Sequence, residues 1–122
     1  MIGSYAGLRK LRILRSLAWV FIVVVCLSTL VPISARPVSG LPAVLERCAA
    51  FSIIGCMFYF AYPKHWLQFL TMLVVLIAAL ELLQNYIPGR HGRLLDFSVK
   101  SFSLIFGLFV SRQLTLFILR RQ

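Results

Sequence analysis

No charged residue interrupts the chain from Ser16 to Ala35, from Cys48 to Pro63, or from His65 to Leu80, and a fourth apolar run, Phe97 to Leu119, holds only Lys100 and Arg112. A helix needs about 20 mostly apolar residues to cross the hydrocarbon core of a bilayer. Four such spans are expected, over about residues 11–31, 43–62, 66–87 and 97–119, and they fill the chain. Lys100 and Arg112 fit the fourth if their long stems carry the charges toward opposite interfaces. The connections suit this plan. Pro32, Pro37, Gly40 and Pro42 break up the first, Pro63 and Lys64 make a tight second, and Pro88 and Gly89 open the third. Tyr59, Tyr62 and Trp66 are expected at the depth of an aromatic belt.

Composition agrees. Apolar residues make up 61% of the 122 residues and charged residues 13%, against about 25% charged in an ordinary soluble domain. So small a body cannot hide that much apolar surface from water. Thirteen Lys+Arg against three Asp+Glu give a formal charge of +10. In a soluble protein that balance would suggest nucleic acid. Here the basic residues flank apolar runs, which points to membrane orientation, and no nucleic-acid partner is expected. With four spans, Arg9, Lys10, Arg12, Arg15, Lys64, Arg120 and Arg121 share one side, and Arg36, Arg90 and Arg93 the other. The positive-inside rule then puts both termini in the cytoplasm. The expected fold is all-α: one domain over residues 1–122, a polytopic four-helix bundle. The apolar stretch after the basic head exceeds that of a signal peptide, so the first span is expected to be retained.

The three acids are placed informatively. Glu46 opens the second span, Glu81 lies in the last turns of the third, and Asp96 opens the fourth. Alternating topology puts all three at one end, the outer one. A carboxylate as deep as Glu81 is costly in lipid unless it faces the bundle interior with a partner. Gln84 and Asn85, at i+3 and i+4, share its helical face. Asp96, Lys100, Ser103, Gly107 and Ser111 form a polar and small stripe on the fourth span. Cys48, Ser52, Gly55 and Cys56 form a stripe of small residues on the second, suited to close approach by another helix. These positions suggest an outward-facing polar pocket with Glu81 and Gln84 as floor and Glu46, Arg47, Arg90, Arg93 and Asp96 as rim. Its arginines suit internal ion pairs and the binding of an anionic group such as a phosphate equally well. Asp96 can equally be a helix cap or an ion-pair partner.

Other chemistry is sparse. The chain has no glycine-rich phosphate loop, HExxH or GxSxG. Neither His65 nor His91 stands at a ligand spacing, so no metal and no cofactor are expected, and Cys26, Cys48 and Cys56 read as packing residues. Small proton-coupled exporters of about this length carry an acid in their first span, which has none here.

The segment from Glu81 to Asp96, ELLQNYIPGRHGRLLD, resembles the VanZ-like family of small membrane proteins. That family shows E-x-x-Q, then a P-G-R-x-G loop, then an Asp opening the next helix. The stretch from Leu45 to Phe51 is similar to its other recurrent region, and the four-span plan extends the resemblance over essentially the whole chain. Departures occur at Glu46, Arg47 and Cys48, where many members have Asp-Lys and then His. They occur again at Lys100 and Ser103, where members have Asn and Gly, while Gly107 agrees. The resemblance implies the bacterial cytoplasmic (inner) membrane, a cell-envelope role and an association with glycopeptide resistance, but no established activity. Three readings follow. In the first, the protein binds membrane lipid, specifically an anionic lipid or cell-wall headgroup. In the second, it is a membrane-embedded enzyme acting on a lipid-linked phosphate, with Glu81 or Asp96 as acid or base. In the third, it is a structural subunit that docks a membrane-protein partner on the small stripe of the second span.

Overall fold

The computed structural model describes residues 2–30, 40, 42–86 and 94–122. All of its regular structure is helical: α1 (Ile2–Leu30), α2 (Ala43–Ala61), α3 (Trp66–Gln84) and α4 (Leu94–Arg120). Each is long and apolar enough to cross a membrane. The chain is a multi-pass membrane protein by this criterion. α2 and α3, at 19 residues each, measure about 28 Å, close to the hydrocarbon thickness of a bilayer.

Helix ends depart from the expected spans in three places. α1 begins at Ile2 rather than near Leu11, because Arg9, Lys10, Arg12 and Arg15 are good helix formers and simply continue the helix outward. α3 stops at Gln84, and Asn85 and Tyr86 form a turn instead of a further helical step. α4 starts at Leu94, so Asp96 lies within its first turn. Pro32, Arg36, Pro37, Pro88, Gly89, Arg90, His91 and Arg93 lie outside the described residues.

The polarity of the bundle is inverted relative to a soluble protein. Leu17, Val20, Val24, Val75, Phe102 and Phe106 face outward, while Glu81, Gln84, Lys100, Ser103 and Ser111 are buried. Lipid tails tolerate the first set, and the interior supplies partners for the second. An apolar core of Ala18, Ile22, Phe51, Ile54, Phe58, Leu73, Ile77 and Leu104 lies between the helices.

α2 and α4 run parallel and cross very closely. A Cβ built on Gly107 would lie 2.0 Å from the Ser52 carbonyl oxygen, and one on Gly55 would lie 2.3 Å from that of Leu104. Only glycine permits this approach. Ser52 Oγ donates to the Ser103 carbonyl at 3.2 Å, and Cys56 Sγ to that of Gly107 at 3.2 Å. The small stripe on α2 is thus covered by α4 of the same chain. It is not a free docking face, a correction to the third reading above.

α1 runs antiparallel to α2 and is tied to it near the α2–α3 turn. Arg15 Nε donates to the Ala61 carbonyl at 3.1 Å, and its guanidinium stands 4.7 Å from the centre of the Tyr62 ring. Trp19 Nε1 donates to Tyr62 Oη at 3.0 Å and meets Phe58 edge-on. Tyr62 stacks on Phe69 with ring centroids 4.1 Å apart. Arg112 lies over Trp66 at the same end, which is where an interfacial cation belongs. Tyr59 departs from the expected belt: it is buried one turn further into α2.

Candidate functional site

The opposite end, where α1 and α3 finish and α2 and α4 begin, collects the acids. Asp96, in the first turn of α4, accepts from Arg47 Nη1 of α2 at 2.5 Å, both side chains about one-fifth exposed. A carboxylate in a first turn is also favoured by the helix dipole, so Asp96 combines the two roles that its position left open. One turn deeper, Lys100 donates to Glu81 Oε1 across the α3–α4 interface, with side-chain exposures of 1% and 9%. Glu81 Oε2 is buried and accepts no hydrogen bond among the described residues. Gln84 Nε2 donates to the Thr29 carbonyl at the end of α1, at 3.4 Å.

Lys100 is therefore the residue that sequence reasoning misplaced. It does not snorkel to an interface. It lies on the buried stripe with Ser103, Gly107 and Ser111, and the same stripe turns it toward Glu81. Opposite charges stand at similar distances from the α3–α4 connection, and the register of the two antiparallel helices brings them together. Asn85 parts from Glu81 and Gln84, because it belongs to the turn and is exposed.

Beside these pairs is a cleft of about 230 Å³ between α1 and α2. Phe21, Val25, Ala50 and Phe51 line its apolar part, and Ser28, Thr29, Glu46 and Arg47 its polar part. Glu46 and Arg47 are adjacent in the first turns of α2. The expected pocket is thus divided. Glu46 and Arg47 line the cleft, Asp96 reaches it through Arg47, and Glu81 and Gln84 are buried behind it against Lys100 and α1. Arg90 and Arg93, the other expected rim residues, lie outside the described residues.

The chain matches no protein-family model, no curated protein and no solved structure. The site must be read from its chemistry. Among the described residues no group of His, Cys, Asp and Glu could hold a metal ion, and Cys26, Cys48 and Cys56 are free thiols. Both candidate catalytic carboxylates, Glu81 and Asp96, carry a cationic partner. That arrangement neutralises buried charge and fixes the positions of α2, α3 and α4 at this end. It leaves a guanidinium, with five N–H donors of which Asp96 engages one nitrogen, at the edge of an apolar cleft.

Proposed function

We propose that this chain is a VanZ-like protein of the bacterial cytoplasmic membrane, with both termini cytoplasmic, that binds the anionic group of a lipid or cell-wall headgroup at its outer end. The observation that carries the reading is the Arg47–Asp96 pair at the edge of the α1–α2 cleft. Arg is suited to phosphate by its planar fork of donors, and a partly exposed one can hold a carboxylate and a phosphate together. Two further arginines, Arg90 and Arg93, belong to the sequence joining α3 to α4, and they add cationic charge to the same connection. Binding is favoured over catalysis, because Glu81 and Asp96 are held by Lys100 and Arg47. An association with glycopeptide resistance would follow from occupancy of a cell-wall precursor or its carrier lipid.

The test is native mass spectrometry of protein released from nanodiscs containing phosphatidylglycerol. Wild type is expected to retain the lipid, and Arg47→Ala, Arg90→Ala and Arg93→Ala to retain less while keeping native helicity. Equal retention by wild type and all three variants would refute the reading.

A further inference from the structure

α4 presents an outward seam in the half nearer Arg120. Phe106, Val110, Gln113 and Phe117 are all exposed, and their spacings of 4, 3 and 4 put them on one line of the helix, about 16 Å long. Upstream the repeat falls on Ser103, which is buried where α4 meets Ser52 of α2. Downstream it falls on Arg120, at the end of the helix. Lipid tails cover three of these four side chains without cost, but not the fourth. The amide of Gln113 makes no hydrogen bond among the described residues, and the sequence after it runs uncharged and mostly apolar to Leu119. Arg112 beside it turns away, onto the Trp66 ring.

The surface around Gln113 is shaped to receive a side chain. Val110, Gln113, Leu114 and Phe117, at i, i+3, i+4 and i+7, border with Phe109 a hollow of about 470 Å³. Four residues in that pattern make the hole into which a facing helix inserts a knob. Two copies inserted with the same topology hold their Gln113 residues at one depth. Packed in parallel, seam on seam, each Gln113 is the knob that enters the other's hollow. An amide carries both a donor and an acceptor, so an identical amide satisfies it in both senses, whereas an acyl chain satisfies neither. The like charges of two Arg120 side chains part the helices where the seam ends. We infer that the chain forms a parallel two-fold dimer through this face of α4, with the Gln113 amides paired across the axis. None of these residues lines the α1–α2 cleft, so the dimer stands apart from the binding function proposed above.

The experiment places donor and acceptor fluorescent proteins after residue 122 of separate full-length copies and reconstitutes them together in phosphatidylcholine vesicles. Energy transfer is then followed as the protein-to-lipid ratio rises. Wild type is expected to exceed the transfer of randomly spaced copies and to saturate. Gln113→Leu, close in size and compatible with lipid, is expected to associate about tenfold more weakly, the worth of interhelical hydrogen bonding in a membrane. Gln113→Asn keeps an amide and is expected to keep most of the association. Leu114→Trp, which fills the hollow from an exposed position, is expected to abolish it. Gln68→Leu removes the exposed amide in the first turn of α3 and is expected to change nothing. Circular dichroism confirms that each variant is folded. Random-level transfer by wild type would overturn the inference and leave the seam to lipid or to a different protein. Association as tight in Gln113→Leu and Leu114→Trp as in wild type would overturn it too, since the copies would then meet on another face.

Discussion

Replacing Lys100 with Met tests whether the bundle is built around its buried ion pair. The substitution keeps the length of the stem and removes the charge that faces Glu81. With exposures of 1% and 9%, the pair is screened too little by water for the loss to be discounted. Breaking a buried pair from one side leaves a bare charge and costs about 3–5 kcal/mol, while replacing both partners with apolar residues is often neutral or stabilising. Lys100→Met and Glu81→Leu are each expected to lose about 3–5 kcal/mol, and the double variant to recover most of that loss. Glu81 Oε2 accepts no hydrogen bond among the described residues, so the attraction to Lys100 is the main term that offsets burial of this carboxylate. The measurement is unfolding of purified protein in mild detergent by titration with sodium dodecyl sulfate, followed by far-ultraviolet circular dichroism. A double variant destabilised by the sum of the two single losses would refute the argument, since the two residues would then act independently.

Gly107→Ala is expected to lower stability in the same titration by at least about 1–3 kcal/mol, the usual cost of overpacking, because its Cβ would meet the Ser52 backbone rather than a movable side chain. Gly7→Ala, with nothing within 4 Å of its Cβ, serves as the control and is expected to be neutral or slightly stabilising. Trp19→Phe keeps a ring against Phe58 but removes the donor to Tyr62, and a loss of about 1 kcal/mol is expected. Four crossings leave the two ends of the chain on one side, so reporter fusions at residues 1 and 122 should give the same compartment. Opposite readings would remove one crossing.

The number and order of the helices were legible because hydrocarbon imposes a length on any segment that crosses it, and the charge-free runs meet that length. The glycine and serine stripes were legible for a similar reason: small residues three and four apart mark close helix contact, and Gly55 and Gly107 use it against each other's helices. Which helix would fill the α2 stripe was not legible. Periodicity gives a face, but not the partner opposite it. The same gap explains Lys100. Its stem is long enough to reach an interface from its position, and only the α3–α4 register, with Glu81 one turn from the end of α3, makes the inward rotamer the stable one.

α1 shows how far an apolar pattern can be read. Its residues Phe21, Val25 and Ser28 look like an ordinary lipid-facing series, and nothing in them announces a cleft. The opening arises from how α1 is fastened. Near its middle Arg15 and Trp19 bind it to the Ala61–Tyr62 corner, at its C-terminal end Gln84 holds the Thr29 carbonyl, and it makes no contact with α4 among the described residues. The stretch between these two fastenings packs on α2 by apolar contact, which has no directional geometry and permits the helices to part on the side of Glu46 and Arg47. A site formed this way depends on the anchors as much as on its lining. Weakening the Arg15–Trp19 anchor should therefore alter lipid retention in the cleft, although neither residue lines it.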